Sequence, residues 1–416
     1  MERRRWYAAG LAALLLGMSA CSSGAGKQSG PTTTGVATTR VVPTHPAGQN
    51  ARTPAAAKRG VVFHNRDVGD LLGVPVPDRH SGIWFLIGRA TKVDLDHLDA
   101  AGTLRSIPLP KGFAGGSANS DPGLGEHDPT LAVDPDGTVW VLGPRALAEA
   151  TAGASTAKLI PFGPLPDNHD AELSQPLPVR GGHAQQVLAS DGSGHVAFAL
   201  TATSIIREYN ATTGRFTDLE LPTGADALSL RYFADGGLAI GIDNFVNGDR
   251  THAIVAQVNG ALSVPIEVGN AEVLNPYSGS AVIAGAFPGR TILHRDGTTT
   301  AIALPVSGPA PTGGVQRGKN GTLVVAAQQG ITIVKSASDP VVTATLHYAG
   351  EPCPPTSGGG FTGPTGPGGR APVVHLPERC FIVPDHVLVG SDGSIWELIT
   401  EYNGTPGLTI ERVENY

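Results

Sequence analysis

The strongest constraint in this sequence is a short pattern that keeps returning. Leu131-Ala132-Val133-Asp134-Pro135-Asp136-Gly137-Thr138-Val139-Trp140-Val141-Leu142 sets two apolar runs on either side of an Asp-Gly pair. Apolar and β-branched residues at alternating positions suit a pleated sheet. Asp-Gly supplies the left-handed backbone that a tight hairpin turn needs. Pro135 has its φ preset for a turn and no N–H to give to a ladder. The unit returns with Asp191-Gly192 running into His195-Val196-Ala197-Phe198, with Asp235-Gly236, and with Asp392-Gly393 before Ile395-Trp396. Looser copies begin at Ser81-Gly82, Ser278-Gly279 and Asn320-Gly321. Trp84, Trp140 and Trp396 each follow a turn glycine at nearly the same offset, which a true repeat explains.

The turn glycines Gly236, Gly279 and Gly321 recur about every 42 residues, the length that one four-stranded propeller blade occupies. Each hairpin is followed by a second strand pair that often ends in Leu-Pro or a near equivalent, as at Leu109-Pro110, Leu221-Pro222 and Leu304-Pro305. Proline fits the end of an outer edge strand, where its missing N–H costs least. Seven such hairpins predict an all-β fold, a seven-bladed β-propeller. The irregular first and last repeats leave six and eight blades as alternatives. Val61-Val62-Phe63 is expected to complete the last blade and close the ring. Residues 111–126 and 161–182 read as Gly/Pro-rich loop inserts, and Arg145 to Ala150 as a short helical turn. With Gly 56, Pro 34 and 16% charged residues, the composition favours strands and turns over helices. A net charge of −7 without a basic stripe argues against a nucleic-acid partner.

The chain opens with Arg3-Arg4-Arg5, an apolar run from Ala8 to Leu16, and Gly17-Met18-Ser19-Ala20-Cys21. That is the layout of a secretory signal, too short for a lasting membrane helix. Met-Ser-Ala-Cys resembles the lipobox of bacterial lipoproteins, with Met18 where leucine is usual. The resemblance implies cleavage before Cys21 and its lipidation, hence attachment to the extracytoplasmic face of the cell membrane. The expected layout is therefore a signal peptide at 1–20, the lipidated Cys21 with a disordered tether over 21–58, and the propeller over 59–416. Residues 22–58 are Ser, Gly, Thr, Ala and Pro without apolar periodicity. With Cys21 set aside, Cys353 and Cys380 remain as a pair in an oxidising compartment. A disulfide between them is expected to close the loop insert at about 349–382 and to contribute about 3 kcal/mol.

Ile83-Trp84-Phe85 followed by Leu98-Asp99-Ala100-Ala101-Gly102-Thr103-Leu104-Arg105-Ser106-Ile107-Pro108-Leu109-Pro110 resembles a blade of the streptogramin-lyase-like propellers, near kin of NHL-type propellers. Asp136-Gly137-Thr138-Val139-Trp140 and Asp392-Gly393-Ser394-Ile395-Trp396 fit the same blade pattern. These are blade-building residues, so the resemblance implies the fold. The lyases place histidine and glutamate around a magnesium ion at the channel mouth; those residues have no one-to-one match here, so lyase chemistry would rest on fold analogy.

In such a ring the innermost strands begin at the channel mouth. Stepping back from the turn glycines reaches His127 and Asp128, His183, Asp226, Glu272, and Asp385 with His386, an imidazole or carboxylate in several blades. Such a set is suited to binding a divalent cation or to general acid–base work. The same residues also read simply as polar groups where strands meet solvent. No Gly-x-Ser-x-Gly elbow, His-Glu-x-x-His or phosphate-cradling glycine loop occurs. His195, His252, His294 and His347 read as blade-surface or inter-blade residues. The favoured expectation is a membrane-anchored, monomeric binding or scaffolding module without a cofactor, for a small ligand or an envelope protein. The alternative is an exported lyase or hydrolase using a divalent cation at the channel mouth.

Overall fold

The computed structural model describes residues 58–65, 69–89, 92–110, 113, 130–143, 145–163, 187–199, 204–222, 224–246, 249–258, 260–268, 271, 274–284, 290–302, 304, 314–327, 330–346, 348, 384–400 and 407–416. The chain enters through β1 (Lys58–Asn65). Blade 1 follows as β2 (Asp70–Pro77), β3 (Ile83–Arg89), β4 (Lys92–Leu98) and β5 (Leu104–Pro108). Blade 2 is β6 (Thr130–Val133), β7 (Val139–Leu142), β8 (Ala146–Ala150) and β9 (Lys158–Pro161). Blade 3 is β10 (Leu188–Ser190), β11 (His195–Phe198), β12 (Ile205–Asn210) and β13 (Arg215–Glu220).

Blade 4 is the longest, with β14 (Ala225–Tyr232), β15 (Leu238–Val246), β16 (Asp249–Val258), β17 (Ala261–Leu262) and β18 (Ile266–Val268). Blade 5 has β19 (Leu274–Ser278), β20 (Ala281–Ala284), β21 (Arg290–His294) and β22 (Thr299–Ile302). Blade 6 has β23 (Val315–Arg317), β24 (Leu323–Ala327), β25 (Gly330–Val334) and β26 (Val342–Leu346). Blade 7 has β27 (His386–Val389), β28 (Ile395–Thr400) and β29 (Leu408–Glu414), and takes β1 as its outer strand. The expected closure through Val61–Phe63 is thus observed, with Val61 opposite Glu411 and Phe63 opposite Ile410. Every strand pair is antiparallel, and the blade count is seven.

The turns explain why the hairpins fold where they do. Gly137, Gly192 and Gly393 take positive φ, and the preceding aspartates each accept an N–H two residues on: Thr138 to Asp136, Ser193 to Asp191 and Ser394 to Asp392. Blade 1 solves its turn differently. Ser81, with φ 67°, carries the left-handed conformation, and Gly82 is there for space. A Cβ at Gly82 would lie 2.7 Å from Asp78 Oδ2 and 2.8 Å from both His97 Nε2 and the Leu98 carbonyl.

Arg145 to Ala150 corrects the sequence expectation of a helical turn: Ala146–Ala150 is the third strand of blade 2. Ala146, Ala148 and Ala150 face one apolar layer while Leu147 faces the next. This two-residue burial pattern between neighbouring strands outweighs alanine's helical preference.

The core is seven apolar layers, one between each pair of neighbouring blades. Trp84, Leu86 and Leu95 of blade 1 meet Val139, Val141 and Ala148 of blade 2. Trp140 of blade 2 packs against Val196 and Phe198 of blade 3, and Trp396 of blade 7 against Phe85 and Ile87 of blade 1. Four more layers join blades 3 and 4, 4 and 5, 5 and 6, and 6 and 7. The three repeat tryptophans all point to the following blade, which is why they recur at one offset.

Neighbouring inner strands belong to separate sheets, so side chains supply the rungs between them. Asn275 Nδ2 donates to the Val315 carbonyl at 2.9 Å. Gln316 Nε2 donates to the Val387 carbonyl at 2.5 Å while its Oε1 accepts the Val389 N–H at 2.9 Å. At the turn end, Asp235 N–H of blade 4 donates to the Gly279 carbonyl of blade 5, and within blade 7 Tyr416 OH donates to the Gly393 carbonyl.

Candidate functional site

The inner strands all begin at one end of the ring, the loop end, and run to the Asp-Gly turns at the other. Of the mouth residues expected from the sequence, Asp226, Asp385 and His386 are described; His127, Asp128, His183 and Glu272 lie outside the described residues. So do Cys21, Cys353 and Cys380.

Asp226 is the second residue of β14, and His386 is the first of β27, with Asp385 just before it. They occupy inner strands of blades 4 and 7, so no single blade brings them together. Asp385 is engaged in holding its own blade. Its Oδ2 accepts the Thr400 N–H at 2.8 Å and the Thr400 hydroxyl, and its N–H donates to Leu398. His386 is buried opposite Leu398 and shares the face of Leu388, which packs toward blade 1.

Asp226 has more interesting company. It stands directly opposite Asp243 on β15, which stands opposite His252 on β16. Ala225, Ala227, Ile242 and Ala253, their chain neighbours, pack in the layer toward blade 3. Pleating therefore turns Asp226, Asp243 and His252 toward blade 5 as one row. Asp243 is fully buried and Asp226 half-buried. Cross-strand register thus sets two carboxylates and an imidazole side by side, residue types used in general acid–base work. Among the described residues, no group of three His, Cys, Asp or Glu side chains is arranged to hold a metal ion. Sequence reading placed Asp226 at the mouth but missed Asp243. The available signal was an aspartate continuing the apolar run Leu238-Ala239-Ile240-Gly241-Ile242.

The turn end carries polar clusters of another kind. His97 Nε2 lies 2.6 Å from Asp78 Oδ2, and its ring stacks on Trp84 with centroids 4.4 Å apart. Burial pushes the Asp78 carboxyl up, but hydrogen bonds from His97 and from the Gly82 and His80 amides outweigh it and hold the group below its usual range. Asp134 accepts Trp140 Nε1 at 2.7 Å and the Ser190 hydroxyl from blade 3. Burial dominates there, and its pKa is raised. Asp191 accepts the His195 N–H and ring at 3.0 and 2.8 Å, and His195 Nε2 meets the Asn210 amide at 2.9 Å. These clusters tie turns to strands.

An all-β ring of seven antiparallel sheets, six four-stranded and one five-stranded, with side-chain rungs between inner strands defines the class: a seven-bladed β-propeller. Comparison with solved structures agrees. A streptogramin B lyase structure superposes with a TM-score of 0.54 at 13% identity, covering 86% of this chain and 97% of the other. Virginiamycin B lyase from Staphylococcus aureus gives 0.51 at 12% identity, over 85% and 98%. The WD40 repeats of RRP9 give 0.51 at 9% identity, over 87% and 99%. Identities this low establish the shared fold alone. No protein family and no curated protein sequence matches the chain.

Proposed function

We propose that the chain is an exported, lipid-anchored binding protein, monomeric, whose propeller presents a recognition face at its loop end to a small ligand or an envelope protein. The supporting observation is topological. The three longest connections, between β5 and β6, β9 and β10, and β26 and β27, all leave the ring at the loop end. Variable connections on a rigid frame are where recognition concentrates. The signal-like residues 1–20 and Cys21 supply the anchor in this reading.

Detergent phase partitioning tests the anchor: the full chain should enter the detergent phase and Cys21→Ser should remain aqueous. A photo-crosslinking residue at Gly115 tests the face. A discrete crosslinked band on intact cells is expected there, and none from the exposed Thr217 on outer strand β13. Crosslinks from Thr217 alone would overturn the assignment.

A second reading, an exported lyase or hydrolase, takes the Asp226–Asp243–His252 row as its acid–base groups. Incubating the purified chain with a streptogramin B and magnesium, followed by mass spectrometry, separates the two. A linearised product lost in Asp243→Asn would establish the enzyme.

A further inference from the structure

A guanidinium sits where the other blades put an apolar or uncharged polar residue. Arg231 on inner strand β14 is the cross-strand partner of Ala239, the second residue of β15. The corresponding pairs in blades 1, 2 and 7 are Val76 with Trp84, Ala132 with Trp140, and Leu388 with Trp396. In blade 6 the inner member is Gln316, opposite Val324, and its amide is spent on the backbone of blade 7. Ala239 belongs to the layer between blades 4 and 5, so Arg231 projects toward blade 5 at the inner rim of that layer.

Arg231 forms neither a hydrogen bond nor an ion pair with the described residues. It is half-buried, and desolvation lowers its pKa. Its facing strand is β19, whose Pro276 is exposed and has no N–H. From the other side of β19, Arg317 ends inner strand β23 opposite Leu323, a residue of the layer between blades 5 and 6. Arg317 is exposed and also unpaired among the described residues. Two free guanidiniums thus flank one inner strand. The third nearby arginine, Arg295, is committed to Asp235, donating to its carbonyl at 2.8 Å and lying 3.5 Å from its carboxylate.

A half-buried cation with no counter-charge among the described residues is costly, and it is retained most readily where an anion completes it. We propose that the channel, toward its turn end, contains an oxyanion site in which Arg231 grips a carboxylate or phosphate group against β19 and Arg317 draws it in. Guanidinium matches both groups through paired N–H donors, which a lysine would not provide. The site is separate from the loop-end face and from the Asp226 row, and it holds or fails whether or not the chain is membrane-anchored.

The test is thermal melting and calorimetric titration of the full chain with inorganic phosphate and, separately, acetate, against chloride at matched ionic strength. Saturable stabilisation by one anion above the chloride control is expected, and which of the two succeeds assigns the group. Arg231→Gln, the residue type that blade 6 tolerates at this position, should weaken binding at least tenfold. Arg317→Gln should weaken it a few-fold and mainly at low salt. Should Arg231→Gln fail to fold, phenylglyoxal labelling of the wild-type chain read by peptide mass spectrometry serves instead, with phosphate or acetate expected to protect Arg231. Equal affinity in Arg231→Gln, no anion effect beyond chloride, or unprotected labelling would each overturn the site.

Discussion

Gln316 offers the sharpest test of how the ring is held together. Its amide both donates to and accepts from a neighbouring inner strand, at 2.5 and 2.9 Å. Gln316→Ala removes two hydrogen bonds worth about 1 kcal/mol each and leaves Val387 C=O and Val389 N–H to find water at a half-closed seam, so the cost is about 2–4 kcal/mol. For a ring of this size, with a urea m-value of about 4 kcal/mol per molar, the midpoint should fall by about 0.5–1 M. Gln316→Glu is more diagnostic. One carboxylate oxygen still accepts from Val389, but the other confronts the Val387 carbonyl, so the charged form is disfavoured and the pKa of the new carboxyl rises in the folded state. The folded variant then binds a proton that its unfolded chain, with a pKa of about 4.3, has not yet taken up. Its deficit against wild type should be full at pH 7 and shrink as pH falls through the raised value. Urea titrations followed by tryptophan fluorescence, with Trp396 reporting on blade 7, measure this. A deficit for Gln316→Glu that is flat between neutral pH and the acid limb would refute the reasoning, as would an alanine variant as stable as wild type.

Three further outcomes follow from the turn end. Gly82→Ala should cost about 2–3 kcal/mol, because the added methyl meets a carboxylate, an imidazole and a backbone carbonyl, all inside 3.0 Å; the urea midpoint reads it. Trp140→Phe keeps a ring in the layer between blades 2 and 3 but removes the N–H that buried Asp134 accepts, and a loss of about 1–3 kcal/mol is expected from denaturant unfolding. Asp78 is held below its ordinary pKa in the folded chain, so its stabilisation is present above about pH 4 and lost as pH falls through the depressed value. Asp78→Asn should accordingly flatten part of the acid limb of a stability-against-pH curve, and an unchanged limb would contradict the assignment.

The architecture was legible because its determinants are local and repeated. Asp-Gly turns, strand-alternating apolar residues and the tryptophan offset are each written within a dozen residues, and the structure returns them as seven hairpins with seven inter-blade layers. Even the closing strand announced itself, since Val61-Val62-Phe63 had no partner nearby in sequence. Arg145 to Ala150 misread because alanine's intrinsic preference is helical, whereas its strand is imposed by β7 and β9 on either side. Ser81 misread because a glycine stood next to the true left-handed position and attracted the assignment. The candidate site was harder. Asp226 was visible by its distance from a turn, but its partners Asp243 and His252 come from two other strands, and only the register of blade 4 aligns them. Arg231 carries no motif signal, and only the blade-to-blade correspondence places it at an inner rim.

Strand β1 has a mechanical consequence. It runs antiparallel to β29, with Lys58 opposite Glu414 at one end and Asn65 opposite Leu408 at the other. A pull on the chain ahead of Lys58 loads that end first, so the bonds give way in succession as in an opening zip, and no shared shear load protects them. Force arriving from the amino-terminal side would therefore unfasten the clasp on blade 7 and draw Val62 and Phe63 out of the Trp396 layer, and slack would let the same strand click back into its groove.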